Sequence, residues 1–357
     1  YIKPTTPTNM AINTGERSEV RKIQLTGGST YIVSLPKKWV MDHGLSPRDQ
    51  IRIEWRPSGT LRIIADASSI IRQRTVSLDS NEIPENMLFD HLVAAYLSGA
   101  HRIFINSQKP FTRIHKKIFR KFVRSTRGME IANELEHKIE LISLLNPNEM
   151  PLFSSINRMY LLLSSQIRDF SEILMGGDKE ILEDADDRED EVDALRLLLE
   201  RQAGEILESA SIEDSLGTSR WEAAELCKLV RTLERMGDHS YNLCDLARNY
   251  PVPSGINMNS LPVSVIPIWQ FSIKLLISNL RKRNISEIHD AKSQLILARE
   301  NLLKYEIDLR GSDSELEDAL FMDKMSESLR RICSYSINVA EILLNIQTHR
   351  DSEEIYS

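Results

Sequence analysis

Four carboxylates carry the clearest chemical signal in this chain. Glu189 and Asp193 stand four residues apart, and so do Glu234 and Asp238. On a helix that spacing puts both members of a pair on one face. Like charges so placed repel, and an isolated pair weakens its helix slightly. If two such pairs face each other inside a bundle, a cation becomes close to necessary. Carboxylate oxygens without cysteine or a neighbouring histidine pair suit hard ions such as Mg2+, Ca2+, Mn2+ or iron. Asp186, Asp190, Asn242 and Asp245 continue the same helix faces and are second-rank candidates. A run as acidic as DDREDEVD also reads as a solvated helix face, because some of it must meet water.

The same residues argue against catalysis. A carboxylate-bridged metal oxidase built in a helical bundle needs Glu-x-x-His on two helices. Glu134 and His137 alone have that spacing, and they fall in an expected strand outside the helices. His239 beside Asp238 is isolated and suited to capping or packing. No G-x-S-x-G, phosphate-loop or kinase signature occurs, so no enzyme is expected. Cys227, Cys244 and Cys333 are odd in number and form no C-x-x-C pair, which argues against disulfides and a thiolate zinc site. A cytoplasmic protein is the simplest expectation. No apolar run approaches the roughly 18 residues that span a membrane. Residues 1–18 lack the regions of a signal peptide and read as a disordered tail, with Met10 a candidate native start.

The elements that must position the carboxylates are long helices. Residues 150–350 are helical by periodicity, punctuated at Gly176-Gly177, Ser215-Leu216-Gly217, the 251–255 stretch PVPSG and Gly311. Six helices in two groups of three are expected, with bundles over 150–250 and 261–350. The groups repeat one another. LERMGDHSYNLCD from Leu233 aligns with LRRICSYSINVAE from Leu329, with Leu, Arg, Ser and Asn in register. In the second copy Arg330 stands for the glutamate and Ser334 for the aspartate, so at most one acidic site per chain is expected. Arg330 and Arg331 are instead suited to attract an anion or another subunit.

The remaining sequence differs in charge. Residues 1–145 hold 22 Lys+Arg against 14 Asp+Glu, whereas residues 146–357 hold 23 against 38. A basic half joined to an acidic half implies different partners for each. Residues 19–66 read as four short strands with one helical turn, PKKWVMDHG, between the second and third. Such a unit is too small to be stable alone, and dimerisation would supply its missing core. Residues 67–147 read as a small α+β unit. Its second helix carries Arg113, Lys116, Lys117, Arg120, Lys121, Arg124 and Arg127 opposite a packing face of Ile114, Ile118, Phe119 and Phe122. That basic stripe could hold nucleic-acid phosphates or cover an acidic neighbour.

Two family resemblances follow from these motifs. Ser29, Thr30, Tyr31, Leu35, Pro36, Lys37, Lys38, Trp39, Gly44 and Leu45 resemble the pattern of the AbrB/MazE swapped-hairpin DNA-binding fold. The resemblance implies that two chains interleave hairpins into one β-barrel and lay a basic surface on DNA. Arg21, Lys22, Lys37, Lys38 and Arg48 are the expected DNA-contacting residues, in a homodimer or higher even oligomer. A plain hairpin module with an ordinary solvated helix start is the competing description.

REDEVD followed by LERMGDHSYN resembles the paired acidic motifs of the PhoU family. That resemblance implies tandem helical bundles, clusters of iron, zinc or other divalent ions on the motifs, and negative regulation of phosphate uptake alongside a phosphate transporter and its signalling apparatus. It implies metal ligation by Glu189, Asp193, Glu234 and Asp238. The expected protein is thus multi-domain: a swapped-hairpin barrel, a small α+β domain and all-α tandem three-helix bundles. Its expected role is a DNA-binding transcriptional regulator of phosphate uptake. The alternative is a signalling adaptor in which the barrel only dimerises the chain.

Overall fold

A computed structural model describes residues 19–55, 60–65, 74–146, 152–311 and 315–352. The expected tail at 1–18 lies outside the described residues, as do residues 56–59 between the third and fourth expected strands. The chain divides into two compact units, the first ending at Arg72 and the second beginning at Gln73.

In the N-terminal unit, strands β1 (Gln24–Thr26) and β2 (Thr30–Ile32) form one antiparallel ladder. Gly27 and Gly28 turn the chain between them at φ 64° and 80°, a backbone region that glycine enters without steric cost. Pro36 caps helix α1 (Lys37–Asp42), and β3 (Ile51–Trp55) pairs antiparallel with β4 (Leu61–Ala65). The expected strands are therefore present, but the described residues of one chain form two separate ladders rather than a closed barrel. Of the residues between 19 and 65 whose side-chain burial is described, a set that leaves out Glu54 and Trp55, none is buried. Tyr31 is 74% exposed and Ile53 53%. Among its described side chains, a single copy of this segment has apolar residues but no buried core.

The second unit opens with a sheet covered by two helices. Strands β5 (Thr75–Asp79), β6 (Arg102–Asn106), β7 (Met129–Glu134) and β8 (Lys138–Ser143) lie in the order β5-β6-β8-β7. The β5–β6 pair is parallel and the other pairs are antiparallel. Helices α2 (Leu88–Leu97) and α3 (Arg113–Ser125) bury Leu88, Leu92, Tyr96, Phe119 and Phe122 against Ile103, Ile105, Ile139 and Leu141. Thr112 starts α3 by accepting a hydrogen bond from the His115 amide, while the His115 ring returns to the Thr112 amide.

Long helices follow: α4 (Leu152–Leu174), α5 (Ala185–Glu208), the short α6 (Ala210–Leu216), α7 (Arg220–Asn249), α8 (Val265–Lys282), α9 (Ile285–Leu309) and α10 (Leu316–Asp351). Two features were not legible as punctuation. The α5–α6 break falls at Ser209, whose side chain caps α6, and the α8–α9 turn is made by Arg283 at φ 60° followed by the capping Asn284. Neither turn is marked by glycine or proline. The two helical groups share one continuous apolar core running from Leu152 to Ile346.

The equivalent serines of the repeat do equivalent work at its centre. Ser240 on α7 donates to Gln166 Oε1 of α4 at 2.5 Å, and Ser336 on α10 accepts from Trp269 Nε1 of α8 at 2.9 Å. Each ties the last helix of its group to the first. The sheet layer is fastened to the bundle by Arg201 of α5, which is 2% exposed. It donates to Tyr96 O (2.8 Å) and Ala100 O (2.9 Å) at the end of α2, and it pairs with Glu205.

Candidate functional site: a four-carboxylate face

Helices α5 and α7 approach closely because Gly237 has no side chain. A Cβ there would stand 3.2 Å from Val192 Cγ1 and 3.3 Å from Leu163 Cδ2. Val192 lies between Glu189 and Asp193 in sequence, and Gly237 lies between Glu234 and Asp238. The tightest point of the helix packing therefore falls within both acidic pairs.

The four carboxylates feel one another there. Glu189 is pushed up to about 7, first by partial burial and then by the charges of Asp193, Asp190, Asp238 and Glu234. Burial is also the leading cause that raises Asp193, Glu234 and Asp238 above their ordinary range. Neighbouring carboxylates add to the shift in all three. Such a face holds its protons unusually well, or it takes up positive charge.

Part of that charge comes from the chain itself, through a residue that the motif reading passed over. Arg196 Nε stands 3.3 Å from Glu234 Oε1 and 3.7 Å from Asp193 Oδ1, and Nη1 stands 3.8 Å from Glu200 Oε1. The signal was available, since Arg196 follows Asp193 by three positions and Glu189 by seven on the same helix face. Its Nε is buried without a hydrogen-bond partner, so it acts by proximity of charge. Next along the face, Arg231 donates to buried Glu200 at 2.7 Å. Among the described residues, no three His, Cys, Asp or Glu side chains are gathered as a ready-made metal site.

The second-rank positions separate by partner. Asp186 accepts from Tyr241 Oη (2.6 Å) and from Arg248 (3.1 Å), which hold its carboxyl below the usual range. Asp245 accepts from the same Arg248 and from Asn249. Both are engaged in a polar knot at the far end of α7. Asp190 is exposed beside Glu189 and adds to its charge, and Asn242 is exposed. His239 packs near Tyr335, with ring centroids 5.9 Å apart, and burial lowers its pKa. Glu134, at the end of β7, pairs with Lys116, while His137 lies in the turn to β8.

The second copy of the motif carries its own neutralising charge. Arg330 donates through Nε to both oxygens of buried Glu306 on α9, at 2.8 and 3.0 Å, and Ser326 also bonds that carboxylate. Arg330 is thus an internal ion-pair partner, while Arg331 pairs with Glu327 at 3.8 Å. Ser334 turns back to the Arg330 carbonyl.

In the N-terminal unit Arg21, Lys22, Lys37, Lys38 and Arg48 are all exposed. Arg21 pairs with Glu19, Lys37 and Lys38 open α1, and Arg48 adopts φ 86° in the turn before β3.

Comparison with known proteins agrees with both halves. Residues 156–247 match the model of the PhoU domain, and residues 24–70 match that of antidote-toxin recognition MazE, a bacterial antitoxin. The chain carries a PhoU domain and a MazE-like domain in one polypeptide. Among solved structures it is similar to PhoU from Pseudomonas aeruginosa, at 14% identity and a TM-score of 0.45, over 56% of this chain and 96% of that one. It is also similar to the phosphate transport system regulatory protein PhoU from Streptococcus pneumoniae, at 16% identity and a TM-score of 0.42, over 57% and 95%. No curated protein matches the chain. Among the described residues no helix is long and apolar enough to cross a membrane.

Proposed function

We propose that this protein is a DNA-binding transcriptional regulator of phosphate uptake, in which the helical half reports phosphate status to the N-terminal unit. The join itself carries the reading: a MazE-like segment with exposed cations and, among its described side chains, no buried one shares a chain with a PhoU domain that holds four mutually repelling carboxylates. Two copies of the N-terminal unit would pair their hairpins into one barrel, bury the exposed apolar side chains and double the basic surface of Arg21, Lys22, Lys37, Lys38 and Arg48. Duplex DNA is the partner that such a surface suits.

The helical half has two routes for its signal. A hard cation, such as iron, manganese or magnesium, would sit on Glu189, Asp193, Glu234 and Asp238, and zinc is a further candidate. The donor set fits such an ion in chemistry, because it offers partly buried carboxylate oxygens whose pKa values are raised first by burial and then by one another's charge. Arg196 would have to withdraw from Glu234 as the ion enters. The second route is contact with the phosphate transporter or its signalling components.

Selection from fragmented genomic DNA with full-length protein, followed by affinity measurement against salt, tests the central claim. Sequence-selective binding that Lys37→Glu/Lys38→Glu abolishes is the expected result. If neither protein selects sequences, the N-terminal unit serves only to pair chains and the protein is an adaptor. For the metal route, protein purified without chelator or nickel resin should retain stoichiometric metal, or melt higher with added Mn2+ or Fe2+. Failure of both removes the cation from the reading.

A further inference from the structure

The basic helix α3 meets two kinds of neighbour. At its edges two cations are used within the chain: Lys116 pairs with Glu134 at 3.3 Å and Arg127, just beyond its end, with Glu191 of α5 at 3.0 Å. Lys121 lies over the Phe89 ring, 4.9 Å from its centroid. Between these, Arg113, Lys117, Arg120 and Arg124 are exposed, and among the described residues none of them has an ion-pair partner. The helix is not free to turn this face inward, because Phe119 and Phe122 on its other side are in the core of the sheet layer.

Steps of four, three and four residues at about 100° each keep these four side chains within an arc of about 60°, along about 16 Å of helix. We propose that this row is a phosphate-binding surface for duplex nucleic acid, independent of the N-terminal unit. An extended polyanion is required, because one phosphate group could satisfy only one or two of the four. Over about 16 Å a duplex presents roughly ten charges, and replacing its counterions by fixed cations needs no apolar contact. An acidic protein partner would call for an apolar centre to the interface. The exposed part of α3 offers only Ile114, 56% accessible.

The experiment uses full-length protein and a random-sequence duplex, so it does not depend on any operator. Affinity is followed from 50 to 200 mM salt for three proteins: wild type, Lys117→Gln/Arg120→Gln/Arg124→Gln, and a control Lys274→Gln/Arg281→Gln/Lys282→Gln that removes the same charge from the C-terminal half of α8. The stripe variant should lower the log–log salt slope by about 2.7, so that wild type loses about 40-fold more affinity than the variant across this range. The control should keep the wild-type slope. The proposal is overturned if the stripe variant keeps that slope, if the control loses as much, or if no salt-sensitive binding exists at all. A Lys37→Glu/Lys38→Glu protein separates this from the reading of the N-terminal unit: it should lose sequence selection yet retain the part of the slope that depends on α3.

Discussion

Glu189 concentrates the electrostatics of the acidic face, because it is partly buried and hears four other carboxylates. The folded protein holds its proton to about pH 7, whereas the unfolded chain releases it near 4.5. Its contribution to folding is therefore present below about pH 4.5 and lost as pH rises through 7, and Asp193, Glu234 and Asp238 shift in the same direction. In chelator-treated protein, urea unfolding should show stability falling between pH 4.5 and 7. Glu189→Gln should remove part of that fall and gain on the order of 1 kcal/mol at pH 8, since solvent screening reduces the full effect. A variant no more stable than wild type at pH 8 would mean that Arg196 already balances the face. Arg201 is the opposite case, a buried cation whose partners are fixed carbonyls. Arg201→Leu strands Tyr96 O, Ala100 O and the Glu205 carboxylate, and should cost about 3 kcal/mol in the same assay.

At the scale of elements, the distance between α5 and α7 decides whether four acidic residues make one face or two. Gly237 sets it. Alanine there gains up to about 1 kcal/mol of helix propensity and must push Val192 and Leu163 by a few tenths of an ångström, so its net effect is small. Valine cannot fit, and Gly237→Val should cost about 1–3 kcal/mol by thermal or urea unfolding. It should also bring the pH dependence of Glu189 back toward that of an ordinary carboxylate. The pairs themselves were legible in the sequence because helical period alone puts i and i+4 together. Their juxtaposition across two helices was not, since no local pattern says which faces meet. Arg196 could have been read from the same period, but a motif of acids draws attention away from the cation in its register. The α8–α9 turn escaped for a different reason: arginine at positive φ carries no composition signal, and only the capping Asn284 marks the place.

For the whole molecule, the two units should differ in how they respond to dilution. Described apolar residues of the N-terminal unit such as Tyr31 and Ile53 are exposed, and on the proposed pairing a second copy covers them, so its unfolding midpoint should fall as protein concentration falls. The helical unit has its own continuous core and should unfold at a fixed midpoint. Sedimentation should give an even oligomer, and Leu25→Asp/Ile53→Asp should yield monomers with the helical transition unchanged. If that double variant stays assembled, the helical unit carries the self-association. The strands were legible from alternation and turn residues, whereas the expected barrel is not seen, since the described strands of one chain pair only as two separate ladders.

The Arg330–Glu306 pair gives the second helical group a meaning that the absence of the acidic motif from its last helix conceals. The first group is frustrated: its four carboxylates work against the packing that assembles them. The second is locally self-consistent, with its buried acid matched by its own arginine. The two are joined where α10 lies along α7, through Asn345 to Glu225 at 3.2 Å, Arg350 to Glu222, and Ser336 close to Met236. The second group is thus a buttress, an internally matched set of helices packed along the helix that carries the repelling acids. Local conflict in one half of a repeat is easier to hold when the half packed against it is free of conflict.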